Sequence, residues 1–196
     1  MRDNKFDHCL VSKNIRFLLY LENRDSAEWL SLFRKKIRKN DWGDKQVIDF
    51  LQGGLPSDSE IRDLAEAFGQ EEDMLRNSDL LANAGIDILL DNLKFLLDSL
   101  EHGGKSLLAN HLEISQGTIS KWLKGTHPPQ KPTMKGLVNY FGLDPDTDLT
   151  STPVFLSYDP VTVMARKKWL RERIDALSSE QLKMHFPSLE KILKEE

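Results

Sequence analysis

The chain repeats itself. NIRFLLYL at 14–21 is echoed by NLKFLLDSL at 92–100, FLQG at 50–53 by WLKG at 122–125, and IRDLAEAFG at 61–69 by MKGLVNYFG at 134–142. The three echoes keep their order, roughly 75 residues apart. Leu-rich amphipathic helices resemble one another by composition alone, but three ordered echoes favour one helical unit used twice. The copies cover about 8–76 and 84–150. The expected domains are therefore 1–80, 84–150 and a remainder, 151–196.

In the second copy, apolar residues recur at helical spacing over 86–100, 105–112, 115–124 and 133–142. The apolar positions read from this pattern are Ile88, Leu89, Leu93, Leu96, Leu97 and Leu100, then Leu108 and Leu112, then Ile119, Trp122 and Leu123, and last Leu137, Val138 and Phe141. EHGGK at 101–105 breaks the first pair of helices apart, and Gly125 and Gly142 stop two others. No run alternates long enough for a proper strand, and PVFLS at 153–157 is at most a short one. The expected fold class is all-α.

Composition narrows the function classes. An apolar fraction of 39% with 30% charged residues describes a folded, water-soluble chain, and no apolar run approaches the length of a membrane span. The single cysteine, Cys9, fits a reducing compartment, and MRDNKFDHCL lacks the features of a secretory signal. A cytoplasmic location is expected, at the nucleoid if the protein binds DNA. No enzyme emerges. The five histidines are scattered without metal-ligand spacing, EHGGK is too short for a phosphate loop, and Cys9 has no base near it in sequence. Neither a metal nor another cofactor is expected.

Net charge is −4, so any nucleic-acid binding must be local. Residues 105–135 hold five lysines and one glutamate, a local +4. Within them lies the helix capped by Ser115, whose buried face is Ile119, Trp122 and Leu123. Its other face carries Gln116, Gly117, Ser120, Lys121 and Lys124, with no acid. A short helix, a tight turn and a second helix with such a face make a helix-turn-helix, whose second helix enters a DNA major groove.

Ala109 at the helix crossing, buried Ile119 ten residues on, SQGTISKWLKG, the Pro-containing loop and LVNYFGL resemble the lambda-repressor-like (Cro-type) DNA-binding domains of phage and bacterial regulators. The resemblance covers about 60 residues. That family places a glycine with positive φ four residues after the alanine, and here the position is Glu113, which predicts backbone strain of about 1 kcal/mol. The resemblance implies base reading by Gln116, Gly117 and Lys121, and phosphate contacts from Lys105, Ser115, Thr118, Lys124, Thr126 and Lys131. The fold then expected is two tandem lambda-repressor-like bundles followed by C-terminal helices.

The first copy departs from that pattern. Its third helix, about 43–52, buries Val47, Phe50 and Leu51 but turns Asp44 and Asp49 outward, and Ile37 stands at the alanine position. RKKIRK at 34–39 is either a solvated helix end or a contact to DNA backbone. The copy reads as a degenerate relative suited to protein contact. In the remainder, a helix is expected over 160–176, and after a cap at Ser178 or Ser179, a last short one starting near Pro187. Trp169, Leu170, Ile174, Phe186 and Leu189 are the expected dimerisation residues. Two function classes follow: a sequence-specific DNA-binding transcriptional regulator, a repressor acting as a homodimer on double-stranded DNA, and a protein-interaction module such as an antitoxin or adaptor.

Overall fold

The computed structural model describes residues 9–22, 29–37, 42–158, 166–167, 170–171, 174–175 and 177–194. Among them the regular structure is helical throughout. The first half contains α1 (Leu10–Glu22), α2 (Trp29–Lys36), α3 (Asp44–Leu51), α4 (Asp58–Phe68), α5 (Glu72–Asn77) and α6 (Leu80–Asn83). The second contains α7 (Ile88–Asp98), α8 (Gly104–His111), α9 (Gln116–Leu123) and α10 (Lys131–Tyr140), then a 3-10 turn, η1 (Val154–Leu156). A long helix, α11 (Ser179–Lys194), follows. No helix among the described residues is long and apolar enough to cross a membrane.

The local signals work as the residue chemistry requires. Ser57 and Glu60 form a reciprocal capping box at α4, and Asp79, Asp87 and Ser115 cap α6, α7 and α9 with their side chains. Glycines with positive φ end matching helices in the two halves: Gly53 and Gly125 after α3 and α9, Gly69 and Gly142 after α4 and α10. Each sits in the same paired set of backbone bonds. Gly53 and Gly54 donate to Phe50 and Asp49, as Gly125 and Thr126 donate to Trp122 and Lys121.

A deeper correspondence lies inside. Asn14, in α1, is fully buried, and its Nδ2 donates to the carbonyls of Leu75 (3.0 Å) and Ser78 (2.7 Å) while its Oδ1 accepts from Leu80 N (3.1 Å). Asn92, in α7, does the same. Its Nδ2 donates to Leu149 (2.9 Å) and Thr152 (2.7 Å), and its Oδ1 accepts from Phe155 N (3.1 Å). In each half one buried amide therefore ties the first helix to the segment that closes the bundle. Such a group is stabilising only when its bonds are all made, which fixes the closing segment in one place.

The halves are not independent beads. Residues 151–158, read from the sequence as the start of a linker with at most a short strand, instead contain the turn η1, with Val154, Phe155, Leu156 and Ser157 all buried. Val154 belongs to the second core, but Phe155 and Leu156 belong to the first. The Phe155 ring lies 4.5 Å from that of Tyr20. Arg16 Nη1 donates to Leu156 O at 3.1 Å, and Trp29 Nε1 to Ser157 O at 3.1 Å. Phe95 packs against both cores. A strand would send Phe155 and Leu156 to opposite faces, whereas here both enter the first core.

The C-terminal expectation changes too. The helix does not begin at Pro187 but runs through it from Ser179, since Ser178 and Gln181 cap it reciprocally (Gln181 N to Ser178 Oγ 3.2 Å; Ser178 N to Gln181 Oε1 3.0 Å). Trp169, with most of the helix expected over 160–176, lies outside the described residues, whereas Leu170 and Ile174 are exposed.

Phe155→Ala is expected to cost about 3–5 kcal/mol in urea unfolding and to lower both halves together in one transition. Two separated transitions would show that the halves unfold independently. Asn92→Ala should cost about 2–4 kcal/mol, because it leaves two carbonyls and one N–H without their partner.

Candidate nucleic-acid interface

The site is built on the α8–turn–α9 corner. Leu108 and Ala109 of α8 and Ile119 and Trp122 of α9 are buried against α7 and α10. The small Ala109 side chain allows the helices to close on each other across the turn, with Ile114 N bonded to Ala109 O at 2.9 Å. Glu113 stands in the left-handed region at φ 54, the only non-glycine to do so among the described residues. The strain read from the sequence at this position is thus present. It is borne by an exposed residue whose side chain needs nothing from the core.

With one face of α9 locked inward, the other is presented to solvent. Gln116, Gly117, Ser120, Lys121 and Lys124 are all exposed. A Cβ at Gly117 would meet only Ser115 Oγ, at 3.6 Å, so the chain itself leaves open space there. The Ser115 hydroxyl accepts from Thr118 N (3.2 Å) and lies 3.0 Å from Thr118 Oγ1. One of these two hydroxyls donates to the other, which leaves a single hydroxyl hydrogen for an incoming oxygen.

Gln116 is held rather than floating. Its Nε2 donates to Ser106 Oγ at 2.5 Å, across the turn from the first turn of α8. The amide keeps its second N–H and its carbonyl oxygen, so the bidentate donor–acceptor pair that matches an adenine edge survives this contact. Ser106 was not among the residues singled out by sequence. In GKSLLAN it is an ordinary polar residue, and only the closeness of two helix N-termini gives it a role.

The flanking groups differ in readiness. Lys121 and Lys124 extend from α9 into solvent. Lys105 Nζ stands 3.7 Å from Asp98 Oδ1, a loose surface pair that an approaching phosphate could replace at little cost. The Thr126 hydroxyl donates to Lys121 O (3.1 Å), so contact with a phosphate requires its hydrogen to turn away. Lys131 lies in the field of Asp148. Hydrogen bonds from Thr150 and Ser151 hold that carboxyl below its ordinary range, slight burial opposes this, and the Lys131 charge adds to it.

The corresponding corner of the first half is built differently. Where α8 and α9 are joined by residues 112–115, α2 and α3 are joined by residues 37–43. Val47, Phe50 and Leu51 are buried as the pattern required, and Asp44 and Asp49 are exposed. Asp44 is ion-paired with Arg34, so a carboxylate stands where the second half has the amide of Gln116. Ile37 is buried just beyond the end of α2 rather than within a helix crossing. Of the basic run 34–39, Arg34, Lys35 and Lys36 are exposed, and Lys36 pairs with Glu22.

No family model, curated protein or solved structure matches the chain.

Glu113→Gly should raise stability by about 0.5–1 kcal/mol, since glycine adopts positive φ without the Cβ clash and the side chain is not otherwise used. Calorimetry showing no gain, or a loss, would mean that the turn is not strained as described.

Proposed function

We propose that the protein is a sequence-specific DNA-binding transcriptional regulator, a repressor that acts as a homodimer in the cytoplasm, at the nucleoid. The observation that carries this reading is the outward face of α9: five exposed residues, two of them lysines and none acidic, in a chain of net charge −4. A helix so capped and buried on one side only, with an amide held at its N-terminus, has the form of a major-groove reader in a lambda-repressor-like domain. Gln116 and Lys121 are the base readers in this account, and Gly117 permits close approach of the backbone. Lys105, Ser115, Thr118, Lys124, Thr126 and Lys131 position the domain on phosphates.

Pairing of two copies follows from the arithmetic of recognition. One such helix reads a few base pairs, too few to compete against a genome, whereas two linked readers about 34 Å apart, or a multiple of it, address a pseudo-palindrome. The first half serves protein contact, supported by Asp49 on the face where phosphate would be repelled and by Asp44, which is paired with Arg34 at the position of the Gln116 amide. The second reading, a protein-interaction module without DNA binding, draws on the same acidic face.

Selection of bound duplexes from a random pool, followed by titration at several salt concentrations, tests the proposal. Gln116→Ala should weaken the selected site by about 1–3 kcal/mol and relax preference at one position. Lys124→Ala should weaken all sequences alike and lower the salt slope by about one. Asp44→Asn with Asp49→Asn should leave the consensus unchanged. No enrichment from the pool would favour the protein-interaction reading.

A further inference from the structure

Within α11, Leu182, Phe186 and Leu189 recur at the four- and three-residue spacing that lines one side of a helix. Phe186 is 54% exposed, every residue from 181 to 188 is exposed, and Leu189 is half-buried, so most of this stripe faces solvent. The charges beside it are not symmetric. Lys183 and Glu190, seven residues apart, flank the same side of the stripe, while Gln181, His185 and Ile192 flank the other and Met184 and Lys191 lie at the back.

We propose that α11 pairs with α11 of a second copy, antiparallel, about a two-fold axis at Phe186. The inference rests on the homodimer reading above for the presence of two copies, and it adds their orientation. In a parallel pair each flank would face the opposite flank, so Lys183 and Glu190 would meet only the neutral side of the partner helix. In an antiparallel pair each flank faces its own equivalent. Lys183 then meets Glu190 of the second copy, and Glu190 meets Lys183, giving two opposite-charge contacts by symmetry. The apolar positions agree with this axis to within half a residue: Leu182 comes beside Leu189 of the second copy, Leu189 beside Leu182, and Phe186 beside Phe186. The stripe is self-complementary in either orientation, but the charges are complementary in the antiparallel one alone. Exposed Leu170 and Ile174, which precede α11, are available to extend the apolar surface.

Charge exchange tests the orientation on the full chain, by sedimentation equilibrium without DNA. Lys183→Glu and Glu190→Lys are each expected to raise the dimer dissociation constant about tenfold by placing like charges opposite one another twice. The double variant should restore it to within about threefold of the parent. Residues seven apart on one helix do not face each other as intrahelical neighbours three or four apart do, so a rescue has to come from between chains. Circular dichroism establishes that the variants stay folded. Single variants that dimerise normally, a double variant without rescue, or a chain that is monomeric at all concentrations would each overturn the proposal. Because DNA is absent from the measurement, failure here leaves the α9 reading to its own binding experiment, and failure of DNA binding leaves the pairing intact.

Discussion

A single buried amide in each half holds the architecture to its shape. Asn92 binds two carbonyls and one N–H of the segment after α10, and Asn14 does so for the end of α5 and the start of α6. Apolar packing tolerates sliding, since one methyl group replaces another at little cost, but three directed bonds to one amide admit a single register. Fixing residues 149–155 against α7 also delivers Phe155 and Leu156 to the core of the other half. The joining of the two halves thus depends on a contact made within the second.

That arrangement bears on α9. A groove-reading helix needs a rigid base, because the discrimination of one base edge from another is lost with misplacements of the order of an ångström. Here α9 is buried through Ile119 and Trp122, capped by Ser115, and turned from α8 at the strained Glu113. The second half is in turn braced against α1 and α2 by Arg16 and Trp29, which donate to Leu156 and Ser157. The first half, whatever it binds, supports the second mechanically.

Much of this was legible in the residues. The helical class, the cap at Ser115, the glycine stops at Gly125 and Gly142 and the buried faces of α7 to α10 follow from rules that act within a few residues. The repeat was visible as echoes of apolar residues. Its structural cause was not, because the two asparagines lead NIRFLLYL and NLKFLLDSL without any local mark of burial. PVFLS was misleading for a related reason: a short apolar run looks alike whether it forms a strand or a 3-10 turn between two cores. At Pro187, local preference for a helix start yielded to the cap at Ser178, one of the two caps read from the sequence, which Gln181 completes more than two turns upstream.

The sequence by itself determined that the chain is helical, where α9 and α10 stop, and that one helix carries an acid-free outward face. It determined as well that Glu113 would carry the positive φ that a glycine usually takes. Only the tertiary structure decided that Ser106 reaches Gln116, that Asp44 is spent on Arg34, and that residues 154–157 are shared between two cores. The reason is the range of the forces. Propensity, capping and periodicity are encoded in neighbours three or four places apart, whereas a hydrogen bond or a buried ring joins residues whose separation along the chain has no period to read.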